Sequence, residues 1–306
     1  MTQQSNEKTV SFFLVDVFAD RPLQGNPLPV VPDAGRLPED VMRRIAREFN
    51  QSETTFVLPP THVGADVRLR SFTPAGNDAS GGAGHHTLGA WWWLAESGAL
   101  ALSDDGGDFT QEAGGKLLAV RINCRSRRPV SVAMSQAAPT FGRVAGDLVR
   151  LAAALGLTPD DLAVDRLPAQ VVSTGVGHLL VPVRDRAAVD RARPDFQRLA
   201  PILREMDGEG CYLFTLDTVS DDSNAYTRFV NPTLGIVEDA ATGTAAGPLA
   251  SQLVAQRIVR DDTTVRIEQG HAIGRPSLLQ IHVAGSAVTL SGACVVSGQG
   301  ILRIAS

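Results

Sequence analysis

At one point of the chain, acidic and small residues lead into a helix in a pattern that can bind an anion. Asp239 lies in Arg228–Gln252, RFVNPTLGIVEDAATGTAAGPLASQ, shortly before the small residues Thr242, Gly243 and Thr244. Free backbone N–H groups and the positive end of the helix dipole favour a bound carboxylate or phosphate there. Because Asp239 would repel an anion unless it binds a donor, the pattern suggests an amino-carboxylate ligand. The alternative is a small-residue helix start packed tightly against a strand, and the residues leave both open.

A second stretch repeats this pattern. Arg70–Trp93, RSFTPAGNDASGGAGHHTLGAWWW, also runs from a strand through an X-Pro turn and an acidic, small-residue loop into a helix. Gly89 lies fifteen residues after Pro74, and Gly247 lies fifteen residues after Pro232. Gly84 and His85 lie at the first helix start. A pseudo-repeat of about half the chain predicts two related lobes, with the two helix starts facing each other across a ligand-binding cleft.

Glu53 is a candidate acid–base group. It directly precedes the apolar run Thr54–Leu58. A carboxylate buried beside apolar residues would have a raised pKa, which suits a proton shuttle. The alternative is a surface glutamate paired with an arginine such as Arg43 or Arg47, and the residues by themselves favour that surface pair.

Motifs for several other chemistries are absent from the sequence. No Gly-Lys-Ser/Thr ends a phosphate-binding loop, and the glycine-rich run before His85 lacks the spacing of a dinucleotide site. No CxxC, HExxH or G-x-S-x-G motif occurs, and the adjacent His85 and His86 diverge on a helix, which makes them a poor metal-chelating pair. Glu53, His85, Asp239 and Thr244 therefore predict proton transfer at carbon, with no cofactor and no metal.

Composition argues against several classes of partner. The 306 residues are 43% hydrophobic and 20% charged, with a net charge of −5 and no block of like charge. Neither a nucleic-acid surface nor a polybasic membrane surface is therefore expected, and the expected partner is a small-molecule carboxylate substrate. The N-terminus lacks a signal-peptide pattern and no apolar run reaches ~18 residues, which predicts a cytoplasmic protein. Cys124, Cys211 and Cys294 lie in separate apolar runs, which favours reduced, buried thiols.

Hydrophobic periodicity predicts the helices. Pro38–Phe49 is expected to form an amphipathic helix. Thr87–Glu96 must be buried on nearly all sides, because three consecutive tryptophans point around it, and we expect it to run through the middle of a curled sheet. Gly243–Gln256 is its counterpart in the second stretch. Arg184–Met206 is charged and helical, with interruptions at its two prolines.

The lobes can be assigned approximate boundaries. We predict an α+β protein with an N-terminal lobe over 1–125 and a C-terminal lobe over 126–286. The final segment, 287–306, contains a strand that can return to the first lobe. The polar Arg125–Arg128 is a candidate crossover between the lobes.

Several motifs, in the same order along nearly the whole chain, resemble the phenazine-biosynthesis PhzF-like isomerase family, which is related in fold to diaminopimelate epimerase. They are VDVFADRPLQGNPLPVV at 15–31, NQSETTFV at 50–57, AGHHTLGA at 83–90, STGVGHLLVPV at 173–183, EDAATGTAAGPLASQL at 238–253 and EQGHAIGRPSLLQIHV at 268–283. The resemblance implies two pseudo-symmetric lobes, each a curved, mainly antiparallel sheet or barrel around one central helix. It also implies a homodimer.

The resemblance also implies roles for individual residues. Glu53 falls on the family's proton shuttle, which reverses the preference for a surface pair. Gly84 and His85 at the first helix start, with Asp239 and Thr244 at the second, are implied to bind and polarise a substrate similar to trans-2,3-dihydro-3-hydroxyanthranilate. Related racemases use two cysteines at the helix starts, whereas this chain has Ala83 and Thr242 near those positions, so a two-thiol racemase is disfavoured.

Three departures from the family pattern leave the substrate open. Ala240 stands where the family usually has proline, His86 replaces a small residue or proline, and the loop 77–82 is longer and lacks the usual glutamate. Two alternatives therefore stay open. One is an epimerase or tautomerase acting on another secondary metabolite or amino acid, and the other is a non-catalytic small-molecule binder.

Overall fold

The computed structural model describes residues 8–81 and 84–304, so Ala83 lies outside the described residues. The strands are β1 (Lys8–Val17), β2 (Asn26–Val31), β3 (Thr54–Leu58), β4 (Val67–Phe72), β5 (Gly106–Ala113), β6 (Lys116–Arg125), β7 (Arg128–Gln136), β8 (Thr140–Val144), β9 (Gln170–Ser173), β10 (Gly177–Pro182), β11 (Gly210–Thr215), β12 (Ala225–Asn231), β13 (Ile236–Asp239), β14 (Thr263–Gln269), β15 (Ser277–Ala284), β16 (Ala287–Gly292) and β17 (Cys294–Ile304). The α-helices are α1 (Glu39–Phe49), α2 (His85–Glu96), α3 (Leu148–Ala154), α4 (Arg186–Arg191), α5 (Phe196–Glu205) and α6 (Gly243–Ala255).

One compact unit comprises the described parts of 1–23, 27–132 and 293–306. Its strands alternate between parallel and antiparallel pairing. β2 pairs in parallel with β3, β3 is antiparallel to β4, β4 is parallel to β5, and β5 is antiparallel to β6. β1 is antiparallel to β17 along its whole length. Helix α2 contacts β1, β3, β6 and β17, so it is the central helix of this unit.

The second compact unit comprises 24–26 and 133–292. β10 pairs in parallel with β11, β11 is antiparallel to β12, β12 is parallel to β14, and β14 is antiparallel to β15. Helix α6 follows β13 and contacts β9, β10, β15 and β16. The order of pairings is that of the first unit, with α6 in the place of α2. The predicted fold class, two pseudo-symmetric sheets each with a central helix, is confirmed.

Helix α2 is buried on nearly all sides, as its tryptophans predicted. Trp91 is fully buried and donates its indole N–H to the side-chain oxygen of Gln111 at 2.7 Å. The helix lies so close to the sheet that a Cβ at Gly89 would fall 2.6 Å from a Leu28 methyl carbon. A glycine is therefore required at this contact. Among the described residues, no helix combines the length and the apolar character needed to cross a membrane.

The structure corrects two local predictions. Arg125–Arg128 is the tight turn between the paired strands β6 and β7, with Ser126 and Arg127 at positive φ, and the boundary between the units falls within β7 at 132/133. Pro194 separates α4 from α5 as predicted, but Pro201 lies inside α5. The lobe boundaries predicted from the sequence stay a prediction.

Candidate active site

The first helix start brings Glu53 and His85 together. Glu53 directly precedes β3, and His85 is the first residue of α2, so a strand end and a helix start place the two side chains. His85 Nε2 lies 3.2 Å from Glu53 Oε2, and the two side chains are 8% and 20% exposed. Arg43, one of the arginines suggested as a surface partner for Glu53, pairs with Glu39.

Two adjacent histidines at this helix start are buried and neutral. Burial, and to a smaller extent the neighbouring His86, lower the pKa of His85 from 6.5 to about 3. Burial likewise lowers the pKa of His86 to about 4. The rings meet edge to face with centroids 6.0 Å apart. A Cβ at Gly84 would fall 2.9 Å from the His86 ring, so the helix N-cap must be glycine.

Both helix starts leave backbone N–H groups outside the helical hydrogen bonds. In α6 the N–H groups of Ala245 and Ala246 both donate to the carbonyl of Thr242, at 3.1 and 3.0 Å, so the helical bonds begin after Gly243 and Thr244. In α2 the first such bonds are likewise made by the third and fourth residues, to the carbonyl of Gly84. Each start therefore retains two N–H donors suited to an anion.

Asp239 is held by donors of its own unit. Its Oδ1 accepts a hydrogen bond from Asn26 Nδ2 at 2.8 Å, and its Oδ2 accepts one from the Thr242 hydroxyl at 2.5 Å. Asn26 also donates to the carbonyl of Ala241 at 2.9 Å. These bonds compensate the charge of Asp239, which removes the objection that a carboxylate beside the helix start would repel an anion.

Gln269 supports the same turn with all four of its hydrogen-bonding positions. Its oxygen accepts from the hydroxyl of Tyr212 at 2.8 Å and from the backbone N–H of Thr242 at 3.1 Å. Its amide nitrogen donates to the carbonyl of Asp239 at 2.9 Å and to the hydroxyl of Thr242 at 3.0 Å. The side chain is fully buried at the end of β14. The turn between β13 and α6 is thus fixed from inside the unit.

Thr244, the second residue of α6, lies against a histidine that the sequence analysis did not single out. His178 Nε2 is 3.1 Å from Thr244 Oγ1. Asn26, His178 and Gln269 all lie inside sequence stretches with the family resemblance, but only the pairing of strands distant in sequence brings them to the helix start.

Within the part of the chain that the structure describes, no group of three or more His, Cys, Asp or Glu side chains is arranged to hold a metal ion. At the first helix start Glu53 Oε2 lies 3.2 Å from His85 Nε2, and at the second Asp239 accepts a hydrogen bond from Thr242. Each start has backbone N–H donors near one carboxyl group, and the second start also has the hydroxyl of Thr244.

Comparison with known proteins gives matches over nearly the whole chain. The PhzC-PhzF family, described as phenazine biosynthesis-like protein, matches residues 15–302. The trans-2,3-dihydro-3-hydroxyanthranilate isomerase of Pseudomonas chlororaphis is 33% identical, over 95% of this chain and 98% of the relative.

Solved structures agree with this match. A phenazine biosynthesis protein of the PhzF family from Bacillus anthracis superposes with a TM-score of 0.88 at 28% identity, covering 97% of this chain and all of that one. A predicted epimerase from Pseudomonas aeruginosa gives a TM-score of 0.81 at 33% identity, covering 96% and 99% of the two chains. The roles of individual site residues stay predictions.

Proposed function

The chain is an isomerase of the phenazine biosynthesis-like PhzC-PhzF family, and on this basis we propose that it catalyses a cofactor-independent proton shift on a small cyclic amino-carboxylate. The proposed substrate is similar to trans-2,3-dihydro-3-hydroxyanthranilate, on which the Pseudomonas chlororaphis relative acts by name. Glu53 takes a proton from one carbon and returns it to another. The observation that carries the proposal is the contact between Glu53 and a neutral, buried His85.

A proton shuttle must keep its proton between the two transfers. A histidine with an ordinary pKa would compete for that proton, because its basicity exceeds that of a carboxylate. Burial lowers the pKa of His85 to about 3, so its ring is a weak base at neutral pH. Glu53 can therefore hold the abstracted proton, while the ring at 3.2 Å restricts the positions that its carboxyl group can take.

The second helix start is proposed to bind the substrate carboxylate. Gly243 and Thr244 supply backbone N–H groups, and Thr244 a hydroxyl, at the start of α6, and Gly84 opens α2 in the same way. Thr242, predicted from the sequence to bind the substrate, donates its N–H to Gln269 and its hydroxyl to Asp239, so it supports the site from behind. Charge that develops during proton abstraction is stabilised by such fixed donors. Asp239, predicted as a catalytic residue, contributes by holding Thr242 in place. That both helix starts serve one substrate rests on the sequence pattern and on the family resemblance.

The test is proton NMR of trans-2,3-dihydro-3-hydroxyanthranilate with the purified protein in D2O, run beside Glu53→Gln. Glutamine keeps the size of the side chain and a hydrogen-bonding group beside His85, but it cannot accept a proton. We expect the wild type to consume the diene signals with uptake of deuterium, and the variant to be slower by at least ~10²-fold while it still binds the ligand.

The matched control is Glu48→Gln, an exposed glutamate on α1 of the same unit, which should leave the rate unchanged. Turnover by Glu53→Gln at the wild-type rate would eliminate the shuttle. A folded wild type that neither consumes the compound nor exchanges deuterium would favour a different carbon acid or a non-catalytic binder. The homodimer, the cytoplasmic location and a place in phenazine biosynthesis remain predictions.

A further inference from the structure

His178 is a buried polar side chain to which the proposed mechanism gives no task. It lies at the start of β10, is 2% exposed, and has its Nε2 3.1 Å from the Thr244 hydroxyl. Its Nδ1 has no hydrogen-bond partner among the described residues, and its ring packs edge to face on Phe229 at 5.0 Å. Burying a half-satisfied imidazole costs free energy, so this position requires an explanation beyond packing.

The pseudo-repeat supplies one. In the first unit, Glu53 directly precedes Thr54, and Thr54 pairs with Phe72. Phe72 lies two residues before Pro74, the proline of the repeat. In the second unit, Gly210 directly precedes Cys211, and Cys211 pairs with Val230, which likewise lies two residues before Pro232. Gly210 is therefore the structural counterpart of Glu53, and the second unit has no side chain where the first has its acid–base group.

The Phe229 ring, with the imidazole of His178 beside it, occupies the space that the glycine leaves. His178 pairs directly with Gly210 across the parallel strands β10 and β11. A Cβ at Gly210 would fall 2.4 Å from the Phe229 ring and 3.2 Å from His178 Nδ1. The Phe229 ring leaves no room for a side chain at 210 and the ring of His178 lies close beside it, so the second unit presents a histidine to its helix start in place of a glutamate.

We infer that His178 is a positioning residue that orients the Thr244 hydroxyl toward the substrate carboxylate, which deepens the proposed function and rests on it. Its Nε2–H donates to Thr244 Oγ1. The hydroxyl hydrogen of Thr244 is then available to an acceptor on the ligand.

The direction of this hydrogen bond follows from the ligand class. A carboxylate has no hydrogen to donate, so the Thr244 hydroxyl must donate to it and must accept from His178. Burial lowers the pKa of His178 to about 3, which keeps the ring neutral in the assay range and leaves one N–H for this task. A neutral donor fixes the hydroxyl without adding a charge that would titrate during the reaction.

The test is a double-mutant cycle on His178 and Thr244. His178→Leu introduces the residue that the first unit has at the equivalent position, Leu28. Val30 pairs with the residue two after Glu53, as Leu180 pairs with the residue two after Gly210, so Leu28 and His178 correspond. Thr244→Val removes the hydroxyl at constant shape. We expect His178→Leu to raise KM for trans-2,3-dihydro-3-hydroxyanthranilate by about 3- to 10-fold, the range of one lost hydrogen bond, and to change kcat less.

In the Thr244→Val background, His178→Leu should have no further effect on KM, because no hydroxyl remains to orient. His178→Gln should recover part of the loss, since its amide N–H can donate at a similar distance. His282→Leu, on a half-buried histidine of β15, is the control and should match the wild type. Additive effects in the cycle, or a KM unchanged in His178→Leu, would overturn the inference.

A second measurement separates failure of this inference from failure of the proposed function. Binding of 3-hydroxyanthranilate, a stable aromatic compound with the same carboxylate, amine and hydroxyl groups, is measured by calorimetry for the same four proteins. If the wild type binds 3-hydroxyanthranilate but does not convert trans-2,3-dihydro-3-hydroxyanthranilate, the proton-shift proposal fails. The double-mutant cycle, now measured in Kd, still decides the role of His178. Absence of binding to the wild type would overturn both.

Discussion

Gln269→Leu tests whether the turn before α6 is held from inside the second unit. Two buried donors, the backbone N–H of Thr242 and the hydroxyl of Tyr212, use the oxygen of Gln269 as their acceptor. Each buried donor left unpaired costs ~1–3 kcal/mol, so the two together predict a loss of about 2–6 kcal/mol in the free energy of unfolding. Leucine is similar in size and buries well, so the loss of polar contacts dominates the result.

Urea unfolding followed by far-UV circular dichroism gives the free energy, and hydrogen exchange gives the location. Exchange should accelerate in β12 and α6, whereas α2 of the first unit serves as the internal reference. Gln197→Leu, an exposed glutamine of α5, is the matched control and should change stability by no more than ~0.5 kcal/mol. A loss below ~1 kcal/mol for Gln269→Leu would refute the reasoning, because it would mean that the two donors find other acceptors.

Gln269→Glu provides a check with a defined sign. The new carboxylate keeps the acceptor for Tyr212 but places an oxygen against the carbonyl of Asp239, where the glutamine donates at 2.9 Å. Burial raises the pKa of such a carboxyl above its unfolded value of ~4.3, so the penalty is present at neutral pH and shrinks as pH falls toward that value. Protonation restores a donor facing the carbonyl. A penalty that grows on acidification would contradict the assigned contacts.

Two further predictions concern burial and packing. Burial lowers the pKa from 6.5 to about 3 for His85 and His178 and to about 4 for His86. The unfolded chain then binds protons that the folded one does not. Stability should fall on acidification below pH 6.5 by up to about 1.4 kcal/mol per pH unit for each histidine, and NMR titration of these rings near neutral pH would contradict this. Gly247→Ala would place a Cβ 1.8 Å from the side-chain oxygen of Gln136 and should lower the free energy of unfolding in urea by ~1–3 kcal/mol. Gly146→Ala, with open space around the new Cβ, should change it little.

The central helices were predictable because their signals are local. Three consecutive tryptophans leave α2 no solvent-facing side, and the equal spacing from proline to glycine in both stretches reveals the repeat without any contact information. Glu53 was ambiguous from the residues alone, since the amphipathic helix before it supplies arginines on the surface. Only the return of the chain to place α2 beside β3 decides its neighbour, which is His85.

Other features depend on contacts that no local pattern encodes. Asn26 reaches Asp239 across 213 positions of sequence, and Gln269 reaches Thr242 across 27. The turn at Ser126 and Arg127 has positive φ at two residues that are neither glycine nor asparagine, so the usual hairpin signal is missing. That explains why the segment was interpreted as a crossover.

The two helix starts have diverged in the one respect that proton transfer and anion binding require. A proton shuttle must exist in two protonation states, so a carboxyl group such as Glu53 suits it, whereas an anion site needs donors that keep their protons throughout. The second unit has glycine at the position equivalent to Glu53 and a neutral histidine beside it, and in the proposed arrangement this histidine makes Thr244 a donor and adds no second base. On this proposal, the same framework places an acid–base group at one helix start and a fixed hydrogen-bond donor at the other. Because a side chain at 210 would collide with the Phe229 ring, placing a glutamate there to convert the second start into a second proton shuttle would require Phe229 to move or change as well.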